Sequence, residues 1–262
     1  MLIPIHDRTA RRARIESVLL DVDGTLIDSN QAHAQAWSAA LAEAGFRVSV
    51  GRIRWLIGMG GDRILPAVAS IEADSPLGKL IDARRRDLFL RRHLAHCAPQ
   101  PGARRLLQRF ADEGLRQVIA SSARPEELEP LLRRAGVDDL IDQAATSADA
   151  AASKPDPGIV QAALQRADVA AAAAVMLGDT PYDVAAARRA GVRIVALRCG
   201  GWDDASLAGA VAIYDDPEDL LGHYDESVFA ASRLPPATIH RALRRVTQQG
   251  GRHGHVSPMA RR

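Results

Sequence analysis

The sequence predicts an α/β protein in which helices cover a mostly parallel sheet and a helical module interrupts the sheet after its first strand. Three observations carry this. Short apolar runs alternate with longer stretches of helical character, the rhythm of strand–helix–strand units. One interval, residues 29–97, is about seventy residues long, whereas a crossover needs only about a dozen. The sharpest polar residues fall just after the apolar runs, the sheet edge where open parallel sheets bind ligands.

The strands are expected, in order, at residues 17–20, 115–120, 140–145, 174–177, 193–197 and 210–214. Helices are expected at 102–113, 125–135, 157–167 and 181–190. Pro125, Pro157 and Pro181 suit first helical turns, where a missing N–H costs nothing. Gly136 and Gly191 follow their helices as left-handed caps. Within the long interval, Ala32, Ala36, Trp37, Ala40 and Leu41 make one apolar helical face, and Ile81, Leu88 and Leu94 another. Pro99 and Pro101 mark the return to the sheet. The expected division is therefore a core over 15–28 and 99–225, a helical insert over 29–98, a leader over 1–14 and a tail over 226–262.

A chain of 262 residues with 47% hydrophobic and 25% charged residues has the make-up of a globular protein. It holds no run near the ~18 apolar residues of a membrane span. Met1 to Ile5 is apolar and arginines follow, the reverse of a secretory leader. Cys97 and Cys199 stand far apart, so neither a disulfide framework nor a zinc site is expected, and the cytoplasm is the expected compartment. The net charge of +2 hides an uneven distribution. Residues 227–262 carry seven arginines and no acid, leaving 27 bases against 32 acids elsewhere. A basic arm can bind nucleic acid. Here the bases are dispersed, aromatics are scarce, and Gly250, Gly251 and Gly254 favour a solvated, disordered tail, so nucleic acid is not the expected partner.

The polar features after the strands are Asp21-Val22-Asp23-Gly24-Thr25, Ser121, Lys154-Pro155 and Gly178-Asp179-Thr180-Pro181-Tyr182-Asp183. Singly each has an ordinary explanation as a cap, turn or surface residue. In this order they resemble the four motifs of the haloacid dehalogenase-like hydrolases. Asp21 to Ser29 is similar to the family's DxDGTLxDS, Ser121 to its second motif, Lys154 to its third, and Asp179 with Asp183 to its GDxxxD. The resemblance runs from about residue 17 to 221 and is nearest the phosphoglycolate phosphatase and β-phosphoglucomutase branch. It implies a Rossmann-like core, with the helical insert as a first-type cap.

By that resemblance Asp21 is the nucleophile and a metal ligand, forming an aspartyl phosphate. Asp23 is the acid and base, and its backbone carbonyl a further metal ligand. Asp179 and Asp183 complete a Mg²⁺ site, Asp183 in a supporting place. Such an ion offsets the charge that a phosphate ester sets against an anionic nucleophile. Ser121 and Ser122 bind phosphoryl oxygens at the expected start of a helix, with Thr25 and Lys154 assisting.

The insert is expected to choose the substrate. Residues 57–63, Ile-Gly-Met-Gly-Gly-Asp-Arg, lack the strand that a dinucleotide loop follows. Gly61 and Arg63 are candidates for substrate contact, Arg63 meeting an anionic end. The alternative has Asp62 capping a helix and Arg63 in solvent. His33, four residues before Trp37, either touches Asp23 or is structural, and one of Arg84, Arg85 and Arg86 faces the site or none does.

The expected function is a Mg²⁺-dependent phosphatase of a small phosphorylated metabolite, phosphoglycolate-like or sugar-phosphate-like, as monomer or dimer. The rivals are a phosphomutase of the β-phosphoglucomutase type, a pyrophosphatase, and a non-catalytic binding protein that uses the arginine-rich tail.

Overall fold

The structure, a computed structural model, describes residues 14–230. The leader, apart from Arg14, and the tail beyond residue 230 lie outside the described residues. Six strands form the main sheet: β1 (Ser17–Leu20), β4 (Arg116–Ala120), β5 (Gln143–Ala145), β6 (Ala174–Gly178), β7 (Arg193–Leu197) and β8 (Ala212–Tyr214). Their order is β5-β4-β1-β6-β7-β8, and every pairing is parallel. The direction of winding reverses at β1, between β4 and β6, and ligands of such sheets bind beyond the strand ends at that reversal.

Strand side chains alternate between the two faces, so a sheet covered on both sides buries every residue of its central strands. Val18 and Leu20 enter one core with Leu106, Leu107 and Phe110 of α5 (Ala103–Asp112) and Leu131 of α6 (Pro125–Ala135). Leu19 enters the other, with Ile159 and Ala163 of α7 (Gly158–Ala167) and Ala187 of α8 (Pro181–Arg189). A further helix, α9 (Pro217–Gly222), lies against α5. Phe229, placed in the tail by composition, is fully buried, with its ring centroid 4.8 Å from that of Phe110.

The insert begins and ends on a small antiparallel pair, β2 (Ile27–Asp28) with β3 (Ala98–Pro99), joined Ile27 to Pro99 and Asp28 to Ala98. Between them run α1 (Asn30–Glu43), α2 (Val50–Arg54), α3 (Gly61–Ala69) and α4 (Pro76–Leu88). Ile64 and Leu65 of α3 and Ile81 and Leu88 of α4 join Trp37 and Leu41 of α1 in the core that also fills one face of the sheet. Among the described residues no helix is long and apolar enough to cross a membrane.

Several boundaries differ from the expected ones. The third expected strand starts at Gln143 rather than at residue 140, because residues 138–140 form a tight helical turn first. Val211 donates to the Ile194 carbonyl before β8 begins at Ala212. Pro157 caps α7 from outside instead of occupying its first turn.

Candidate active site

The site begins where β1 ends. The Asp21 amide donates to the Leu177 carbonyl at 2.9 Å, so this residue is still pinned to β6. The chain then folds back on itself: the amides of Thr25 and Leu26 donate to the Val22 carbonyl, and that of Gly24 to the Ile27 carbonyl. Gly24 has φ +86°, and a Cβ there would lie 2.1 Å from both Asn30 Nδ2 and Asp179 Oδ2. Any larger residue would displace the carboxylate that the turn is built around.

Four elements meet behind the turn. Lys154, fully buried, donates from Nζ to Asp21 Oδ1 at 2.6 Å and lies 2.7 Å from Asp183 Oδ1. The hydroxyl of Thr25 sits between Asp21 Oδ2 at 3.1 Å and Asp179 Oδ1 at 2.9 Å. Asn30 Nδ2 donates to Asp179 Oδ2 at 3.0 Å. Asp183 is held by the start of α8, where the Thr180 amide and hydroxyl both donate to its Oδ2 and the Asp183 amide donates back to Thr180 Oγ1.

Asp21, Asp179 and Asp183 each offer an oxygen, all within 4.8 Å of one another, and all three residues are buried. One lysine faces three carboxylates. Burial pushes Asp21 up to about 7, with Asp183 and Asp23 adding to the push and Lys154 opposing it. Burial, then Asp21 and Asp183, drives Asp179 well above the ordinary carboxylate range. An all-oxygen set with surplus negative charge is the donor chemistry of a hard divalent cation such as Mg²⁺, so the residues present fit one.

Asp23 is disposed differently. Its Oδ1 accepts from Ser29 Oγ at 2.5 Å and lies 2.9 Å from His33 Nε2, and the His33 ring stacks on Phe89 at 3.7 Å. Burial raises the Asp23 carboxyl, but His33 and Ser29 outweigh it and hold the group below its ordinary value. Its side chain is therefore outside the three-carboxylate group, although both Asp21 and Asp23 open onto one cavity of about 50 Å³.

The cavity is also lined by Trp37 and Arg85 of the insert and by Ser121, Ser122 and Glu127 of the core. Ser121 is not at a helix start, as expected from sequence. Its amide donates to the Ala145 carbonyl, extending the sheet ladder, and α6 begins four residues later at Pro125. Ser122 Oγ donates to the Gly58 carbonyl at 3.1 Å, joining core to insert. Thr25 and Lys154, expected to touch phosphate, spend their polar atoms on the carboxylates.

Gly61 lines the cavity, and a Cβ on it would come within 3.1 Å of Trp37. Arg63 does not line it: its Nε donates to the Ser153 carbonyl at 3.2 Å. Nor does Asp62 cap α3, whose cap is Gly60; Asp62 Oδ2 accepts from the Ser153 amide at 3.0 Å. Both side chains clip the insert to the segment that carries Lys154.

Of the three consecutive arginines, Arg85 faces the site. It is 7% exposed, donates to Asp82 Oδ1 at 2.9 Å and to Glu127 Oε1 at 2.5 Å, and lies 5.0 Å from the Trp37 ring centroid. Arg84 turns outward to Glu43 and Asp87. Residues 81, 85 and 88 share one helical face, so the stripe of Ile81 and Leu88 is the sequence signal that could have singled out Arg85. Glu127 and Asn30 carried no comparable signal.

Comparison with known proteins agrees with this architecture. The pattern of the haloacid dehalogenase-like hydrolases matches residues 18–197. A phosphoglycolate phosphatase of Rhodospirillum rubrum is 32% identical over 77% of this chain and 87% of its own length. An N-acetylmuramic acid 6-phosphate phosphatase of Pseudomonas aeruginosa is 27% identical over 83% of this chain and 98% of its own. The crystal structure of a hydrolase from Pseudomonas syringae superposes with a TM-score of 0.75 at 30% identity, covering 80% of this chain and 98% of that one. The chain belongs to the haloacid dehalogenase-like hydrolase family. Within that family it is an enzyme of the phosphatase kind.

Proposed function

We propose that the protein is a Mg²⁺-dependent phosphatase of small phosphorylated metabolites that works through a phosphoryl group carried on Asp21. The observation that supports this most is the position of Asp21, whose carboxylate is shared between the buried three-carboxylate group and the cavity that also holds Asp23. Asp21, Asp179 and Asp183 would hold the ion, with the Asp23 carbonyl as a further ligand; when bound, it supplies charge neutralisation at the phosphoryl oxygens.

The remaining chemistry belongs to the chain. A carboxylate oxygen of Asp21 attacks phosphorus and the ester oxygen leaves. Lys154 keeps that carboxylate oriented, and its charge lowers the cost of bringing anion to anion. Asp23, held by Ser29 and His33, passes the proton of its contact with His33 to the leaving oxygen and then takes one from the water that splits the aspartyl phosphate. The Ser121 hydroxyl and the Ser122 amide, at the cavity wall, donate to the phosphoryl oxygens. The insert covers the cavity and keeps bulk water from the intermediate. With two free cysteines, the protein suits the reducing cytoplasm.

Incubating the purified protein with a panel of phosphate monoesters tests the reading. Phosphate release is expected to require Mg²⁺, to match ester consumption without a phosphorylated isomer, and to vanish in Asp21→Asn. Release that persists in Asp21→Asn, or without divalent cation, would count against it.

A further inference from the structure

Arg85 and Glu127 form a cross-link whose chemistry goes beyond holding insert to core. Arg85 comes from α4 and Glu127 from α6, and both line the cavity that Asp21 and Asp23 share. Glu127 is 1% exposed, yet only its Oε1 is used, by Arg85; its Oε2 is buried with no hydrogen-bond partner among the described residues. Arg85 Nε is likewise buried and without a partner. Leaving such groups unsatisfied is costly, more so when they are charged, so a ligand that completes them binds with that advantage.

The charge balance says what kind of ligand does so. Arg85 is already faced by two carboxylates, Asp82 at 2.9 Å and Glu127 at 2.5 Å. Asp82 is shared with Arg124, whose Nη2 lies 2.6 Å away on the core side. The guanidinium therefore has no spare charge for an anionic leaving group, and a carboxylate brought beside Glu127 would meet a second buried carboxylate. A carboxylate can only accept hydrogen bonds, whereas a hydroxyl both donates and accepts. A hydroxyl can give its proton to Glu127 Oε2 and receive one from Arg85.

We infer that the Arg85–Glu127 pair selects phosphate esters of hydroxylated alcohols, sugar or polyol phosphates, over esters whose leaving group bears a carboxylate. This rests on the phosphatase reading and narrows its substrate class. Room for more than a two-carbon leaving group exists alongside: a second cavity of about 300 Å³ shares Gly60, Gly61, Arg85 and Ser122 with the first. Its charged lining sets Asp62, Asp74 and Asp82 against Lys79, Arg85 and Arg124, a balanced polar wall that suits a neutral polyol.

Three two-carbon esters isolate the effect: 2-hydroxyethyl phosphate, ethyl phosphate and 2-phosphoglycolate share the reacting bond and differ only at the far carbon. For the wild-type protein, kcat/KM is expected to be highest for the hydroxyethyl ester and about tenfold or more above that for 2-phosphoglycolate. Glu127→Gln retains an acceptor, removes the charge and adds a donor for a carboxylate. It is expected to raise the phosphoglycolate-to-hydroxyethyl ratio by about tenfold or more. A wild-type preference for 2-phosphoglycolate, or an unchanged ratio in a folded Glu127→Gln protein, overturns the assignment while the phosphatase reading stands. The wild-type order decides the matter even if the variant fails to fold. No Mg²⁺-dependent turnover of any ester by the wild type overturns both.

Discussion

The two ends of the cavity are built by different means. Behind the inner end, Asp21 and Asp179 directly follow β1 and β6, Asp183 sits in the first turn of α8 and Lys154 comes from the segment after β5, and short hydrogen bonds leave them little freedom. At the outer end, Trp37 and Arg85 stand on helices of the insert and meet Glu127 across the cleft. The inner end has surplus negative charge that suits a metal ion and a phosphoryl group. The outer end is internally neutralised. One scaffold thus separates what is done to the phosphoryl group from what is attached to it.

Breaking the inner end is expected to have the largest effect. Asp21→Asn, nearly isosteric, is expected to lower kcat at least about a thousandfold in a phosphate-release assay while leaving the thermal transition in place. Asp23→Asn is expected to lower kcat by about a hundredfold to ten-thousandfold, the usual range for a lost acid–base group. Less would mean that another group moves the proton.

At the outer end the expected loss is of stability. Arg85→Met leaves Glu127 without its partner and Asp82 with only Arg124, so unfolding in urea should show a loss of about 3–5 kcal/mol. Arg84→Ala, one residue earlier but pointing outward, is expected to leave the urea midpoint where it is. Equal effects of the two would erase the distinction between buried and exposed positions on α4.

A smaller effect depends on pH. Burial raises the Asp82 carboxyl, but Arg85 and then Arg124 outweigh it and hold it below its ordinary value. A depressed carboxyl stabilises the fold above its unfolded value of about 3.9 and loses that contribution as pH falls through the folded value. The destabilisation caused by Asp82→Asn should therefore be full at pH 7 and shrink below about pH 4. A difference from wild type that is constant across that range would contradict the ion-pair account.

The inner end was legible in the sequence because strand ends put closely spaced residues into the site: Asp21 and Asp23 lie two apart, and Asp179 and Asp183 four apart, on either side of the Thr180 cap. The sheet was legible for the same reason, its apolar runs being short and clearly bounded. The outer end was not, since a salt bridge between residues 85 and 127 depends on how two separately folded helices meet. Arg63 is the converse case. An arginine beside a glycine-rich loop suggested a ligand contact, but its Nε donates to the Ser153 carbonyl across the cleft between insert and core. Ser121 was assigned to a helix start because strand–helix units usually turn quickly, whereas here the ladder with β5 continues through it.

The most direct test is chemical trapping at position 21. Protein quenched during turnover and treated with borohydride should yield a tryptic peptide in which Asp21 has been reduced to homoserine, the product expected of an acyl phosphate, and Asp23 has not. Phosphate release continuing at full rate with Asp21 unmodified, or with the modification on Asp23, would contradict capture of the phosphoryl group by Asp21.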